Sequence, residues 1–474
     1  MTYGIREKCG VIGIHLPDVG QNVSISVFEG LYALQHRGQE SCGIYVCNDS
    51  SIAGQRAMGT VEEAFTQGKL LALLGNVGIG HVRYSTTAKS TIAEAQPFYY
   101  ESPSGAFAVA FNGTVANFLE LRKRMESSGH SFVTQTDTEV LVHLIADGLR
   151  ECGDYSETLK RCLQSIDGSC SLVLLNDKGE LYALRDPLGF KPLGLGTTKE
   201  GAVIVASESA AIDALDGTFE GDVRPGEILK VDAKGIQRQQ AFESPRRAFC
   251  MFEYVYFSRP DSVLQSKTVY EVRYQLGRNL AKEHPADVDI VVPVPDSGKT
   301  AALGYADELG KPYVEGLIKN RYIWRTFIMP SQDARELSVK LKLNPVRALI
   351  QGRAVALIDD SIVRGTTMRR IVRLLKHAGA RSVHVRISCP PITSSCYMGI
   401  DFPTKGELMA SYMSVDEIRT FIEADSLGYQ SLKGLVESIG LPKEELCMAC
   451  LTGEYPLSKK PDFVAMEAAL GVRA

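Results

Sequence analysis

Val355-Ala356-Leu357-Ile358-Asp359-Asp360-Ser361-Ile362-Val363-Arg364-Gly365-Thr366-Thr367 is the stretch whose reading decides the fold. Val355 to Ile358 are apolar without a break and read as a strand buried on both faces, as in a parallel sheet. Two carboxylates stand at its end, and a turn through Arg364 and Gly365 leads to paired threonines. From Met368 onward, Ile371, Val372, Leu374 and Leu375 recur at helical spacing. The polar residues therefore sit where a strand's carboxyl end meets a helix's amino end. Open α/β sheets bind ligands at that place, and the free backbone N–H groups and helix dipole favour a phosphate. Asp-Asp or Thr-Thr standing alone would read as a helix cap. Their combination in one run points instead to a site for a phosphorylated sugar.

Working outward, a chain of 474 residues is long enough for two to three domains. Its 45% hydrophobic and 23% charged content is ordinary for a soluble globular protein with sizeable cores. A net charge of −4 gives no reason to expect a nucleic-acid or acidic-membrane partner. No run approaches the ~18 apolar residues of a membrane span, and Met1–Lys8 lacks the apolar core of a secretory signal. The expected location is the cytoplasm. Eleven cysteines in an unexported chain argue against a disulfide framework. Cys42, Cys47, Cys152, Cys162, Cys170 and Cys389 read as small buried or half-buried residues. Cys9, Cys250, Cys396, Cys447 and Cys450 need a separate account.

The first half is rich in strands. Cys9–Ile14, Phe107–Thr114, Leu172–Leu175, Leu181–Leu184 and Val203–Ala206 are expected strands. Val27, Phe28, Leu31 and Leu34 share a helical face, and Thr136-Asp137-Thr138-Glu139 reads as a cap opening the helix Val140–Leu149. Many strands with few helices between them indicate an α+β layered domain to about residue 235. Gln239–Arg247 looks like a linker. Beyond it Ile290–Val294, Val355–Ile358 and Val383–Ile387 alternate with helical segments, which implies a parallel sheet. After Asp401 the chain reads as helical and acidic, ending in Cys447-Met448-Ala449-Cys450 and a short tail.

Asp359 and Asp360 cannot both approach a phosphate, because like charges repel. They suit the vicinal hydroxyls of a ribose and a Mg²⁺ bridging to pyrophosphate oxygens. Arg364, the N–H groups of Gly365 and Thr366, and the hydroxyls of Thr366 and Thr367 suit a 5′-phosphate. The whole run, Ser361 included, resembles the signature of type I phosphoribosyltransferases, which bind phosphoribosyl pyrophosphate (PRPP). A second strand end, Val294-Pro295-Asp296-Ser297-Gly298-Lys299-Thr300, would alone be a plain strand-to-helix turn. Beside the first run it resembles the family's pyrophosphate loop, and the resemblance puts Ser297 with Asp359 and Asp360 around Mg²⁺. The basic run from Lys319 and Arg321 through Trp324 and Arg325 to Arg335, Lys340 and Lys342 would by default be a solvated face. In the family this segment is a loop that closes over PRPP and keeps water from the ribose.

A lone Cys-Gly on an apolar strand is by default a packed residue. Here Cys9-Gly10, His36-Arg37-Gly38-Gln39-Glu40-Ser41, His81-Val82-Arg83-Tyr84-Ser85-Thr86, Asn112-Gly113-Thr114 and Thr136-Asp137-Thr138-Glu139 follow in order. This series resembles the class II glutamine amidotransferases, a branch of the N-terminal-nucleophile hydrolases with an αββα layered fold. The resemblance implies that Cys9 attacks the amide of glutamine, giving a tetrahedral oxyanion and then a thioester with loss of ammonia. The base is the nucleophile's own α-amino group, so residues 1–8 are expected to be a cleaved propeptide. It further implies Asn112 and the N–H of Gly113 as oxyanion donors, with Arg83 on the α-carboxylate of glutamine and Asp137 on its α-ammonium.

Cys447-Met448-Ala449-Cys450 has a spacing that zinc, a redox disulfide or an iron–sulfur cluster could equally use. Taken together, these segments resemble the glutamine PRPP amidotransferases, whose iron–sulfur branch carries a [4Fe–4S] cluster. Matched to that branch, the ligands are Cys250, preceding a Phe252-Glu253-Tyr254 strand, then Cys396, Cys447 and Cys450. Cys389 competes for a place. The resemblance implies a glutaminase domain over residues 9–240 and a phosphoribosyltransferase domain over 250–474, the latter ending in a cluster-binding helical segment. It implies glutamine-dependent amination of PRPP to 5-phosphoribosylamine, glutamate and pyrophosphate, the first step of purine biosynthesis, with ammonia passed between domains. Purine nucleotide inhibitors and a homotetramer or homodimer belong to the same expectation. A PRPP- or purine-binding regulator would need no oxyanion hole. Sugar-phosphate aminating enzymes and asparagine synthetases share the first domain but not Asp359–Thr367.

Overall fold

The computed structural model describes residues 6–7, 9–48, 50–84, 91–244, 246–320, 343–401 and 405–457. Two sheets make up the first half. The seven-stranded one runs Thr218–Asp222, Gly194–Thr197, Val203–Ala206, Cys9–His15, Val77–Arg83, Ser41–Asn48, Ser51–Met58 across its width. The six-stranded one runs Gly235–Gln240, Glu227–Asp232, Leu181–Arg185, Gly168–Asn176, Gly105–Val115, Phe98–Ser102.

Side-chain alternation along the strands sorts the residues into layers. Val11, Ile79, Ala108, Ala110, Val173 and Leu181 meet between the sheets. Ile12, Ile44 and Val46 face outward onto Val27 and Leu31 of the helix Ser24–Ala33. Val109, Phe111, Leu172 and Leu174 face the other way, onto Val140 and Ile145 of the helix Asp137–Cys152 and Leu159 of Tyr155–Ser165. The product is the expected αββα stack.

Ile290–Pro293, Ala354–Asp359, Ser382–Ile387 and Ser426–Tyr429 form a four-stranded parallel sheet in that order. The strand Ala354–Asp359 is buried throughout. Val355 and Leu357 pack on one face, with Ile371, Val372 and Leu375 of the helix Thr366–His377. Ala356 and Ile358 pack on the other, with Leu280 and Ala301 of the helices Val269–Glu283 and Lys299–Leu309. Covering both faces explains the unbroken apolar run. Among the described residues no helix is long and apolar enough to cross a membrane.

Four local expectations need correction. The strand Gly235–Gln240 takes Gln239 and Gln240 into the second sheet, so the link starts after them. The strand expected at Phe252-Glu253-Tyr254 is a π-helical turn over Glu253–Phe257, and the strand lies earlier, at Phe249–Cys250. Ser426–Tyr429 is a strand inside a region expected to be helical. Asp137 is the first residue of its helix, with Thr136 before it, and Glu139 accepts N–H bonds from Val133 and Thr134 of the preceding loop. The basic segment from Arg321 to Lys342 lies outside the described residues, as do Ser85 and Thr86; its stem is an antiparallel ribbon of Leu317–Lys319 and Leu343–Pro345.

Candidate active site

Register brings the first set of residues together. Cys9 pairs with Arg83, which pairs on its other side with Ser41; Val11 and His81 form the next inward-facing pair. The turn His36-Arg37-Gly38 crosses this end of the sheet, and Arg37 Nε donates to the Cys9 carbonyl at 3.1 Å. A Cβ on Gly38 would stand 2.5 Å from the Arg83 nitrogen, so only glycine lets the turn lie so close.

Opposite, on the second sheet, Asn112 is wholly buried, and among the described residues neither its amide oxygen nor its nitrogen has a hydrogen-bond partner. A buried amide in that state is destabilising until something fills the space beside it. Gly113 is fixed as glycine, since a Cβ there would stand 2.2 Å from the Ser169 carbonyl oxygen. His81 and Ser41 add two more unpartnered buried atoms, Nδ1 and Oγ. Burial, with the Arg83 charge adding to it, lowers the His81 pKa to about 3. The ring is neutral, and its Nε2 lies 3.1 Å from the Phe111 carbonyl. A carbonyl can only accept, so Nε2 carries the proton and Nδ1 is a bare acceptor. Arg83 is buried and ion-paired with Glu94 at 3.2 Å. Asp137 accepts from the Val115 N–H at 3.0 Å. Upstream, Arg6–Glu7 pairs antiparallel with Ile400–Asp401, so in the full chain the Cys9 nitrogen is a peptide nitrogen.

At the carboxyl edge of the parallel sheet, Asp359 and Asp360 are both buried. Ser297 Oγ donates to Asp359 at 3.3 Å, the Asp360 N–H donates to the same oxygen at 2.9 Å, and Ser361 Oγ donates to Asp360 at 2.5 Å. Burial, and then the neighbouring Asp360 charge, raises the Asp359 pKa well above the carboxylate range. Gly365 takes φ of +68° ahead of the helix Thr366–His377, leaving both threonines exposed at its amino end. Arg364 instead pairs with Glu407, at 2.6 Å from Nη2. Lys319 reaches Asp296 at 3.0 Å.

Among the described residues no cysteine is in a disulfide. Cys250 and Cys447 are register partners in a parallel pair of short strands. Cys450 lies in electrostatic range of Cys396, Cys389, Cys447 and Cys250, and burial raises its thiol well above the ordinary value. The expected set is thus brought together, with Cys389 beside it. Cys389 also faces Asp360, whose carbonyl accepts its N–H at 2.9 Å. Among the described residues, however, no three His, Cys, Asp or Glu side chains stand in geometry to hold a metal ion.

A buried cysteine between two sheets, on the same chain as a strand-end carboxylate pair ahead of a helix, is the arrangement expected of a glutamine-dependent transferase acting on a phosphoribosyl donor, and comparison with known proteins agrees. Residues 81–214 match the glutamine amidotransferase domain and residues 267–397 the phosphoribosyl transferase domain. The amidophosphoribosyltransferase of Methanothermobacter thermautotrophicus is 49% identical over 464 residues, 98% of either chain. That of Archaeoglobus fulgidus is 49% identical over 452 residues, 95% of this chain and 98% of its own. The structure of glutamine PRPP amidotransferase from B. subtilis, complexed with ADP and GMP, superposes with a TM-score of 0.89 at 40% identity, covering 96% of this chain and 98% of that one. The chain belongs to the amidophosphoribosyltransferase family. Its reaction is the glutamine-dependent amination of PRPP, the first step of purine biosynthesis.

Proposed function

We propose that Cys9 releases ammonia from glutamine between the two sheets, and that this ammonia displaces pyrophosphate from C1 of PRPP at Asp359–Thr367. The observation that carries the reading is the buried, unpartnered amide of Asn112 at the Cys9 end of the inter-sheet layer. An oxyanion formed by thiolate attack is the ligand such a donor lacks, and the Gly113 N–H would share it. Arg83 and Asp137 would hold the α-carboxylate and α-ammonium of glutamine. Removal of residues 1–8 would turn the Cys9 nitrogen into the amine that takes the thiol proton and returns it to the leaving ammonia. Mass spectrometry of the purified protein tests this, because an intact terminus at Met1 or Thr2 refutes processing.

In the second site, the hydroxyls and N–H groups of Thr366 and Thr367, with Gly365, would hold the 5′-phosphate, and Ser361 and Arg364 would flank it once Arg364 leaves Glu407. Asp359 and Asp360 would anchor the ribose hydroxyls. A buried carboxylate pair in which Asp359 is pushed above the ordinary range suits a cation, so Mg²⁺ held by Asp359, Asp360 and Ser297 is part of the proposal; when bound it would neutralise pyrophosphate oxygens. Cys250, Cys396, Cys447 and Cys450 would hold a [4Fe–4S] cluster, for which four thiolates are the usual donor set. Its role here is structural or oxygen-sensing. A colourless anaerobic preparation with bound zinc would sink it. Nucleotide inhibition, a homo-oligomer and a cytoplasmic location complete the reading; the B. subtilis relative was solved with ADP and GMP.

The deciding experiment measures pyrophosphate release from PRPP with glutamine or with ammonia, in wild type and Cys9→Ala. The variant keeps the ammonia-driven reaction alone. Loss of both in a folded variant contradicts two separate sites.

A further inference from the structure

The Cys9 carbonyl is gripped by a guanidinium whose remaining N–H groups reach into the other half of the protein. Arg37, wholly buried, donates through Nη1 to Glu208 and through Nη2 to Glu253, the latter at 3.0 Å. Glu253 also accepts from Lys191 Nζ at 3.1 Å and from Ser258 Oγ at 2.8 Å. Glu208 accepts from Ser262 Oγ and the Arg259 N–H at 2.7 and 2.8 Å, and its carboxylate lies 2.7 Å from His36 Nε2. Arg37, Lys191 and Glu208 belong to the two-sheet half. Glu253, Ser258, Arg259 and Ser262 belong to the segment leading into the parallel-sheet half.

Arg37, Lys191, Glu208 and Glu253 are each no more than 2% exposed. Removing two cations and two carboxylates from water is a weak source of stability, because desolvation offsets most of the attraction. It is a strong source of geometry, because displacing one member leaves the others unpaired in a low-dielectric interior. Glu253 opens the π-helical turn Glu253–Phe257, a departure from regular helix of the kind that re-aims a side chain at a functional place. The turn is clamped from its far side by Arg273, which donates to the Tyr254 and Ser258 carbonyls at 2.8 Å each. Arg273 in turn feels the Asp360 charge.

We propose that Glu253 is a positioning residue for the glutaminase: reaching across the junction between the halves, it orients Arg37 and through it the carbonyl and backbone of Cys9. The assignment rests on Cys9 as the nucleophile. Truncating the contact displaces the nucleophile without touching PRPP.

The test is Glu253→Gln in the full-length, processed enzyme, with Cys9→Ala and Glu253→Asp alongside. Three readouts are taken: glutamine hydrolysis as kcat and KM, the alkylation rate of Cys9 by iodoacetamide, and ammonia-driven pyrophosphate release. In Glu253→Gln, glutamine-driven kcat falls about a hundredfold, the scale of a misplacement of roughly 1 Å; alkylation slows, the ammonia reaction persists, and Glu253→Asp restores part of the loss. Unchanged glutamine kcat and alkylation overturn the assignment. So does an equal fall of both reactions in folded protein, which marks Glu253 as merely structural. If Glu253→Gln does not fold, Ser258→Ala, which deletes only a hydroxyl orienting Glu253, decides by the same split. Glutaminase activity surviving in Cys9→Ala would instead refute the underlying nucleophile.

Discussion

His81 offers a measurable consequence of a neutral ring in a dry site. Burial holds its pKa at about 3, against an ordinary value of 6.5. The folded protein therefore refuses a proton that the unfolded chain takes up below about pH 6.5. The stability tied to the neutral ring is complete above that value and drains away as pH falls toward 3. At about pH 5 the gap is about 1.5 pH units, which at about 1.4 kcal/mol per unit is about 2 kcal/mol lost relative to about pH 7. His81→Gln removes the titration and keeps an N–H that can reach the Phe111 carbonyl. Urea unfolding of both proteins at the two pH values isolates the effect, because every other titrating group is common to both. Whatever the variant's stability near neutrality, its stability should fall by about 2 kcal/mol less between about pH 7 and about pH 5. Parallel pH dependences would show that His81 is accessible to protons in the folded state, and with that the bare Nδ1 acceptor would be wrong.

Two further perturbations bear on the second site. Asp359→Asn removes a buried carboxylate held against Asp360, so the ligand-free protein should melt higher by several degrees. Pyrophosphate release with either glutamine or ammonia should meanwhile collapse; a variant less stable than wild type and still active would refute the placement. Gly365→Ala meets a φ of +68° and a Cβ 2.3 Å from the Met409 sulfur. It should lose at least about 1 kcal/mol in thermal or urea unfolding, and the KM for PRPP in the ammonia reaction should rise while Cys9 alkylation stays unchanged.

The parallel sheet was legible because burial on both faces leaves no room for polar residues, and Val355–Ile358 or Val383–Ile387 advertise that directly. Its fourth strand was not: Ser426-Leu427-Gly428-Tyr429 offers one strong β-former beside a serine and a glycine, too little to compete with the helical pattern on either side. The motifs around Cys9 could be placed in order, yet the reasons they converge lie in register. Nothing local to Arg83 or Ser41 announces that they share a row with Cys9. Buried charge was the larger omission. Charged residues are rarely buried, so Arg37, Lys191, Glu208 and Glu253 carry no mark of burial in the sequence; their partners stand up to 216 residues apart. The Arg364–Glu407 pair likewise spans 43 residues, which no local pattern reports.

Besides the buried charges around Glu253, the halves also meet at a second segment, Met398–Asp401. Ser169 Oγ donates to the Met398 carbonyl at 2.7 Å, next to the strand that carries Asn112 and Gly113. Gly399 has φ of +110°, and a Cβ there would stand 3.3 Å from the Lys191 side chain, 3.4 Å from Ser169 Oγ and 3.5 Å from the Gly113 carbonyl carbon. A residue with a Cβ would meet a backbone penalty there, and its one tight contact, with the Lys191 side chain, would disturb the lysine that is bonded to Glu253. Immediately after it, Ile400–Asp401 pairs with Arg6–Glu7 upstream of Cys9, and three residues before Gly399 stands Cys396, in electrostatic range of Cys450. A displacement of this segment would therefore reach Asn112 and Gly113, the charge network and the strand leading into Cys9 together. Gly399 and the Arg37–Glu253 pair are thus two separate points at which the halves touch, one by close packing and the other by buried charge.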